Sequence, residues 1–154
     1  MLRATMPRVL IASLAAFLTS CGAIRFQRAW SGYEAKAEVR DMQGRWKGEW
    51  RSEWNGHSGN LRCLVTREEG ERYRAWFYST YAGIFFFQYE TILAVTDEET
   101  GTQRFEGQQD LGESVGGVYH YEGRVVHDEF RSTYRAENGD HGVFEMQRVA
   151  SENP

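Results

Sequence analysis

From Gly44 to Val149, apolar and polar residues alternate with a period of two, and clusters of glycine, asparagine and acidic residues interrupt them at nearly regular intervals. The clearest run is Arg45-Trp46-Lys47-Gly48-Glu49-Trp50-Arg51, in which charged residues alternate with Trp46, Gly48 and Trp50. That is the pattern of a half-buried strand with one wet face. Turn chemistry punctuates the rest of the span: a glycine-rich loop at 55–60, a tight turn at Glu68-Glu69-Gly70-Glu71, another at 97–101, and a hairpin signal at Glu137-Asn138-Gly139-Asp140. The runs between them predict eight strands, at 44–52, 60–67, 72–79, 84–95, 102–109, 117–126, 129–136 and 141–149. Short strands with no room for crossover helices predict an all-β antiparallel meander. Eight of them can close into a small up-and-down barrel, which removes the exposed edges of an open sheet and leaves an interior wide enough for side chains or one small ligand.

Alternation assigns one inward face per strand: Trp46, Gly48 and Trp50; Leu61, Cys63 and Val65; Tyr73, Ala75 and Phe77; Phe85, Phe87 and Tyr89; Tyr119 and Tyr121; Phe130 and Tyr134; Phe144 and Met146. Of these, Trp50, Phe77, Phe87, Tyr89, Tyr119, Tyr121, Phe130 and Tyr134 are the candidates to line a cavity. Ile84-Phe85-Phe86-Phe87 breaks the alternation by placing aromatics on both faces. Either the N-terminal segment covers the outer side of this strand, or the run is an exposed apolar patch that meets a partner or a membrane. Gln88 and Glu90 interrupt it too soon for a transmembrane span.

The chain ahead of the barrel reads differently. Arg3 and Arg8 precede an apolar stretch from Val9 to Leu18, long enough for a signal peptide and too short to span a bilayer. It ends in Leu18-Thr19-Ser20-Cys21, which resembles the lipobox of bacterial lipoproteins. The resemblance implies cleavage before Cys21, a diacylglyceryl group on its thiol and a fatty acyl chain, such as palmitate, on the new amino terminus. Several chains anchor stably, since each buried methylene contributes about 0.8 kcal/mol. Gly22 in place of an acidic retention residue resembles lipoproteins sent on to the outer membrane. The expected organisation is a signal peptide at 1–20, a lipidated tether at 21–43 with a short helix over Tyr33–Val39, a barrel at 44–149 and a tail at 150–154.

Gly44-Arg45-Trp46 opening the first strand and Arg148 closing the last are together similar to the calycin arrangement of lipocalins and related small barrels. There the tryptophan of a Gly-x-Trp motif plugs one end and an arginine of the final strand packs across it. A planar guanidinium over an indole face is a favourable cation–π contact that would lock first strand to last. The span 44–149 is shorter than a lipocalin, without its C-terminal helix or later motifs, so the resemblance implies an architecture and no particular ligand.

Charge narrows the partners. The chain carries 18 basic and 22 acidic residues, and loss of Arg3 and Arg8 with the leader leaves 16 against 22. No basic stripe is present, which argues against nucleic acid. With Cys21 committed to lipid, Cys63 is left alone and is expected to be a buried, inert thiol. His57, His120, His127 and His141 do not fall in a zinc-site spacing and are expected at the surface; no metal or other cofactor is implied. Ser58 has a histidine neighbour only in sequence, and the glycine-rich segment 110–117 reads as a turn that could act as a lid. No catalytic set emerges. The residues favour a membrane-tethered, non-enzymatic barrel that binds a small apolar or amphipathic ligand. The rival is an envelope interaction or inhibitor module with a solid core, acting through loops 53–60 and 110–117.

Overall fold

In a computed structural model of the chain, residues 22–34, 41–99 and 101–150 are described. Residues 22–31 form a short helix, α1, in which Phe26 and Trp30, one turn apart, bring their rings to 5.6 Å. The helix lies ahead of the position expected for it: Tyr33 and Glu34 are non-helical, and the remainder of the predicted segment lies outside the described residues. The leader and Cys21 also lie outside them. Among the described residues no helix is long and apolar enough to cross a membrane.

The rest is an eight-stranded antiparallel closed barrel: β1 (Gly44–Ser52), β2 (Ser58–Arg67), β3 (Arg72–Tyr81), β4 (Phe85–Glu99), β5 (Thr102–Asp110), β6 (Val118–Val126), β7 (Glu129–Ala136) and β8 (His141–Arg148). Each strand pairs with its neighbour in sequence, and β1 pairs with β8 from Trp46↔Arg148 to Ser52↔Gly142. Closure leaves no free edge.

Three boundaries differ by two residues or more from those predicted by the sequence pattern, and the others agree to within one. β2 begins at Ser58, because the Asn55 side chain and the Ser52 carbonyl close the β1–β2 turn within five residues. Ser58 is therefore a strand residue opposite Arg51, not part of a loop. β4 continues to Glu99 through the segment expected to turn, with a bulge between Asp97 and Glu99 that keeps it paired to β5. Tyr81 extends β3 to meet Phe85, so the β3–β4 hairpin projects as a narrow tip around Ala82 and Gly83, both at positive φ.

The inward face agrees closely with the predicted alternation. Trp46, Leu61, Cys63, Val65, Tyr73, Ala75, Phe77, Tyr121, Phe130, Tyr134, Phe144 and Met146 are buried. β5, which has a single aromatic residue and so no apolar repeat, contributes Gln103 and Phe105 to the interior. Bulky rings fit because glycines face them. An added Cβ at Gly123 would lie 2.6 Å from Phe105 Cζ, and one at Gly142 would lie 2.8 Å from Tyr134 Cε1.

Candidate functional site

The barrel's two ends differ in chemistry. At the end where β1 starts and β8 finishes, Trp46 is fully buried and donates from Nε1 to the Met42 carbonyl at 3.0 Å. The Arg148 guanidinium lies 4.2 Å from the Trp46 ring centre. It also donates to the carbonyls of Gln43, of Asp41 at 2.9 Å and of His127 at 3.2 Å, and pairs with the Asp128 carboxylate at 2.9 Å. Gly44, at positive φ, has no Cβ and so leaves room for Arg148, whose Nη1 would be 2.9 Å from an added Cβ. Met42 completes the plug by donating its N–H to Gln103 Oε1 at 2.5 Å, and Gln103 in turn donates to Asp97 at 2.6 Å. These are the contacts expected for Trp46 and Arg148, and they seal this end.

The opposite end is open. There the ends of β1, β3 and β7 and the starts of β4, β6 and β8 surround a recess of about 240 Å³. Trp50, Phe87, Tyr89, Tyr119, Tyr121 and Tyr134 line it, six of the eight residues proposed from alternation. Leu61, Ser79, Tyr81, Phe85, Phe86, Leu111, Val115, Asp140 and Phe144 complete the lining. Phe77 and Phe130 sit beneath it in the packed interior, at 2% and 0% exposure. Phe77 bridges the two levels, 5.2 Å from Tyr89 at the recess and 6.5 Å from Phe130 in the floor. The interior is therefore solid at the sealed end and hollow at the mouth.

Near-parallel rings form one wall: Tyr89 with Tyr121 at 5.9 Å and 18°, and Tyr121 with Tyr119 at 6.3 Å and 19°. Trp50 is held across the mouth by a hydrogen bond from Nε1 to the Thr80 carbonyl at 3.1 Å. Asp140 enters from the β7–β8 turn, where its Oδ1 accepts from Ser52 Oγ at 2.7 Å and from the Tyr134 hydroxyl at 3.3 Å. It is the one charged side chain among the described residues that line the recess. The sequence pattern did not single it out, because its signal was that of a turn residue. Burial holds the phenols of Tyr89, Tyr121 and Tyr134 well above their ordinary range; at Tyr134 and Tyr119 the Asp140 carboxylate pushes the same way.

The segment 110–117 folds as a hydrogen-bonded 3-10 turn over Glu113–Val115, flanked by Gly112, Gly116 and Gly117 at positive φ. It brings Leu111 and Val115 to the rim, and the Tyr119 hydroxyl donates to the Val115 carbonyl at 2.9 Å. On the facing side, the tip of the β3–β4 hairpin exposes Ile84 at 77%, Phe85 at 62%, Phe86 at 38% and Phe87 at 40%. The barrel itself leaves this tip exposed on both faces. Phe86, on the outer face, stacks on Tyr78 at 5.6 Å, and Arg62 lies 4.8 Å from that Tyr78 ring.

Other candidates do not converge. Cys63 is a free, fully buried thiol, raised by burial well above its ordinary pKa, and so has the environment of an inert core cysteine. All four histidines are exposed; among them the His57 ring lies 4.9 Å from that of Tyr81 at a 38° tilt, with 3.4 Å from Nε2 to the Tyr81 oxygen. The described residues contain no group of three or more His, Cys, Asp or Glu placed to hold a metal ion.

A closed eight-stranded meander, sealed by a tryptophan–arginine pair and open at the other end, is consistent with a lipocalin-like or calycin-like fold. No protein-family model and no curated protein matches the chain.

Proposed function

We propose that this is a lipid-anchored, extracytoplasmic binding barrel that holds a small apolar or amphipathic ligand in its open end and carries out no chemistry on it. The observation that carries the reading is the aromatic recess of about 240 Å³, concave and mostly apolar with a few polar groups, as ligand sites are. It lies below the roughly 300–1,000 Å³ of sites for drug-sized molecules, so the ligand is small or leaves part of itself outside. The exposed aromatic hairpin beside the mouth gives such a molecule an apolar path inward. Anchoring rests on the Leu18-Thr19-Ser20-Cys21 sequence, and an outer-membrane destination on Gly22. The acidic balance of the chain favours small-molecule or protein partners over nucleic acid.

Two experiments test the two parts. Labelled palmitate should enter the wild-type chain expressed in a Gram-negative host and be absent from Cys21→Ser; label in both forms would reject the anchor. Titration of the processed full-length chain with an uncharged aromatic probe should quench tryptophan fluorescence saturably, with a large loss of affinity in Trp50→Ala. Unchanged affinity in that variant would place binding elsewhere and favour a module that acts through its loops.

A further inference from the structure

We infer that the recess selects an uncharged apolar molecule bearing a hydrogen-bond acceptor, in preference both to the bare hydrocarbon and to the corresponding carboxylate; this rests on the barrel being a ligand-binding protein. Two independent features carry it, one uncommitted donor and one fixed charge.

The donor is Tyr121. Its side chain points inward from β6, is 3% exposed, and packs against the rings of Phe77, Tyr89, Tyr119 and Phe144. The Tyr119 and Tyr134 hydroxyls are committed to the Val115 carbonyl and to Asp140. The Tyr121 oxygen is buried and has no partner at hydrogen-bonding geometry. Burial raises this phenol far above its ordinary value, and the nearby Tyr89 phenol offsets only part of that, so it keeps its proton at neutral pH. A phenol is a better donor than acceptor. An alkyl group closed over it leaves the donor unsatisfied, whereas a carbonyl or ether oxygen pairs with it.

The charge is Asp140, and no Lys or Arg is among the described residues lining the recess. A carboxylate ligand would give up its hydration to sit near a like charge with no cation to balance it.

The test uses three probes of one shape: 2-acetylnaphthalene, 2-isopropenylnaphthalene and 2-naphthoate. Each is titrated calorimetrically into the processed full-length chain, with near-ultraviolet circular dichroism to confirm that variants keep the native fold. The ketone is expected to bind about tenfold tighter than the alkene, the usual gain from one satisfied hydrogen bond. In Tyr121→Phe, which keeps the ring, that ratio should fall to about one. The naphthoate is expected to bind at least tenfold more weakly than the ketone, and Asp140→Asn, which can still accept from Ser52, should narrow that gap. Equal ketone and alkene affinities, a ratio that survives Tyr121→Phe, or tightest binding by naphthoate would overturn the inference. Binding of all three without preference would leave the ligand-binding reading standing; binding of none would defeat both.

Discussion

Replacing Arg148 with methionine removes the side chain that ties the last strand to the plug while keeping most of its apolar length. Three of its donors reach the main-chain carbonyls of Gln43, Asp41 and His127, the first two in the segment leading into β1. At about 1 kcal/mol net each, these contribute roughly 3 kcal/mol. Its pairing with Asp128 adds at most a few tenths, because that carboxylate is 74% exposed and screened by solvent. The guanidinium over the buried Trp46 ring adds about 1 kcal/mol. The expected loss is therefore about 4 kcal/mol, a large share of the roughly 5–15 kcal/mol that stabilises a typical domain. Urea denaturation followed by tryptophan fluorescence and far-ultraviolet circular dichroism should show a lower midpoint at unchanged slope. Arg148→Lys should recover less than half of the loss, since an ammonium cannot serve three divergent carbonyls and lie flat on an indole. A double-mutant cycle with Trp46→Phe isolates the ring contact. A loss below about 1 kcal/mol for Arg148→Met, or full recovery by lysine, would refute the view that this side chain closes the barrel.

Phe130, fully buried against Trp46, Phe105 and Phe77, should cost about 3–5 kcal/mol as alanine in the same urea assay. Gly123→Ala should cost about 1–3 kcal/mol, because its Cβ would lie 2.2 Å from the Arg131 carbonyl oxygen; a neutral result would mean that the strands can separate locally. The raised phenols set an alkaline limit. Tyr73, pushed up to about 12, and Tyr89, Tyr121 and Tyr134 stay protonated in the fold after the unfolded chain has begun to ionise. Their contribution is complete below pH 10 and is lost as pH rises through the folded values, so the urea midpoint should fall steadily from about pH 10 upward. Cys63 should resist a thiol reagent at pH 8 in the native chain and react promptly in urea.

Much of the barrel was legible because a period of two is a direct imprint of a sheet with one buried face. Trp46, Cys63, Phe77 and Tyr121 could be assigned inward by counting, and Gly44, Trp46 and Arg148 could be read as the closing set before their contacts were known. The strand ends were less legible where side chains, not turn residues, decide them: the bulge after Asp97 keeps β4 paired beyond an acidic cluster that reads as a turn. Alternation also says which way a side chain points but not how deep it lies. Phe130 and Tyr134 share a face of β7, yet one is in the packed floor and the other at the recess, because depth depends on register across eight strands. Asp140 was hidden for a similar reason, since a turn residue enters the site only when β1 and β8 bring Ser52 and Tyr134 to it. The aromatic run 84–87 stood out as a break in the alternation, but its place at the tip of a hairpin is set by the β3–β4 register, which a period of two does not reveal.

Native mass spectrometry of the processed chain, purified gently from its own host's envelope, tests the ligand-binding reading most directly. A reproducible extra mass beyond any covalent lipid is expected, retained in Arg51→Ala, whose exposed side chain is absent from the recess lining, and lost in Trp50→Ala and Tyr134→Ala. A bare chain in every preparation, or a bound molecule indifferent to substitution of Trp50 and Tyr134, would contradict it.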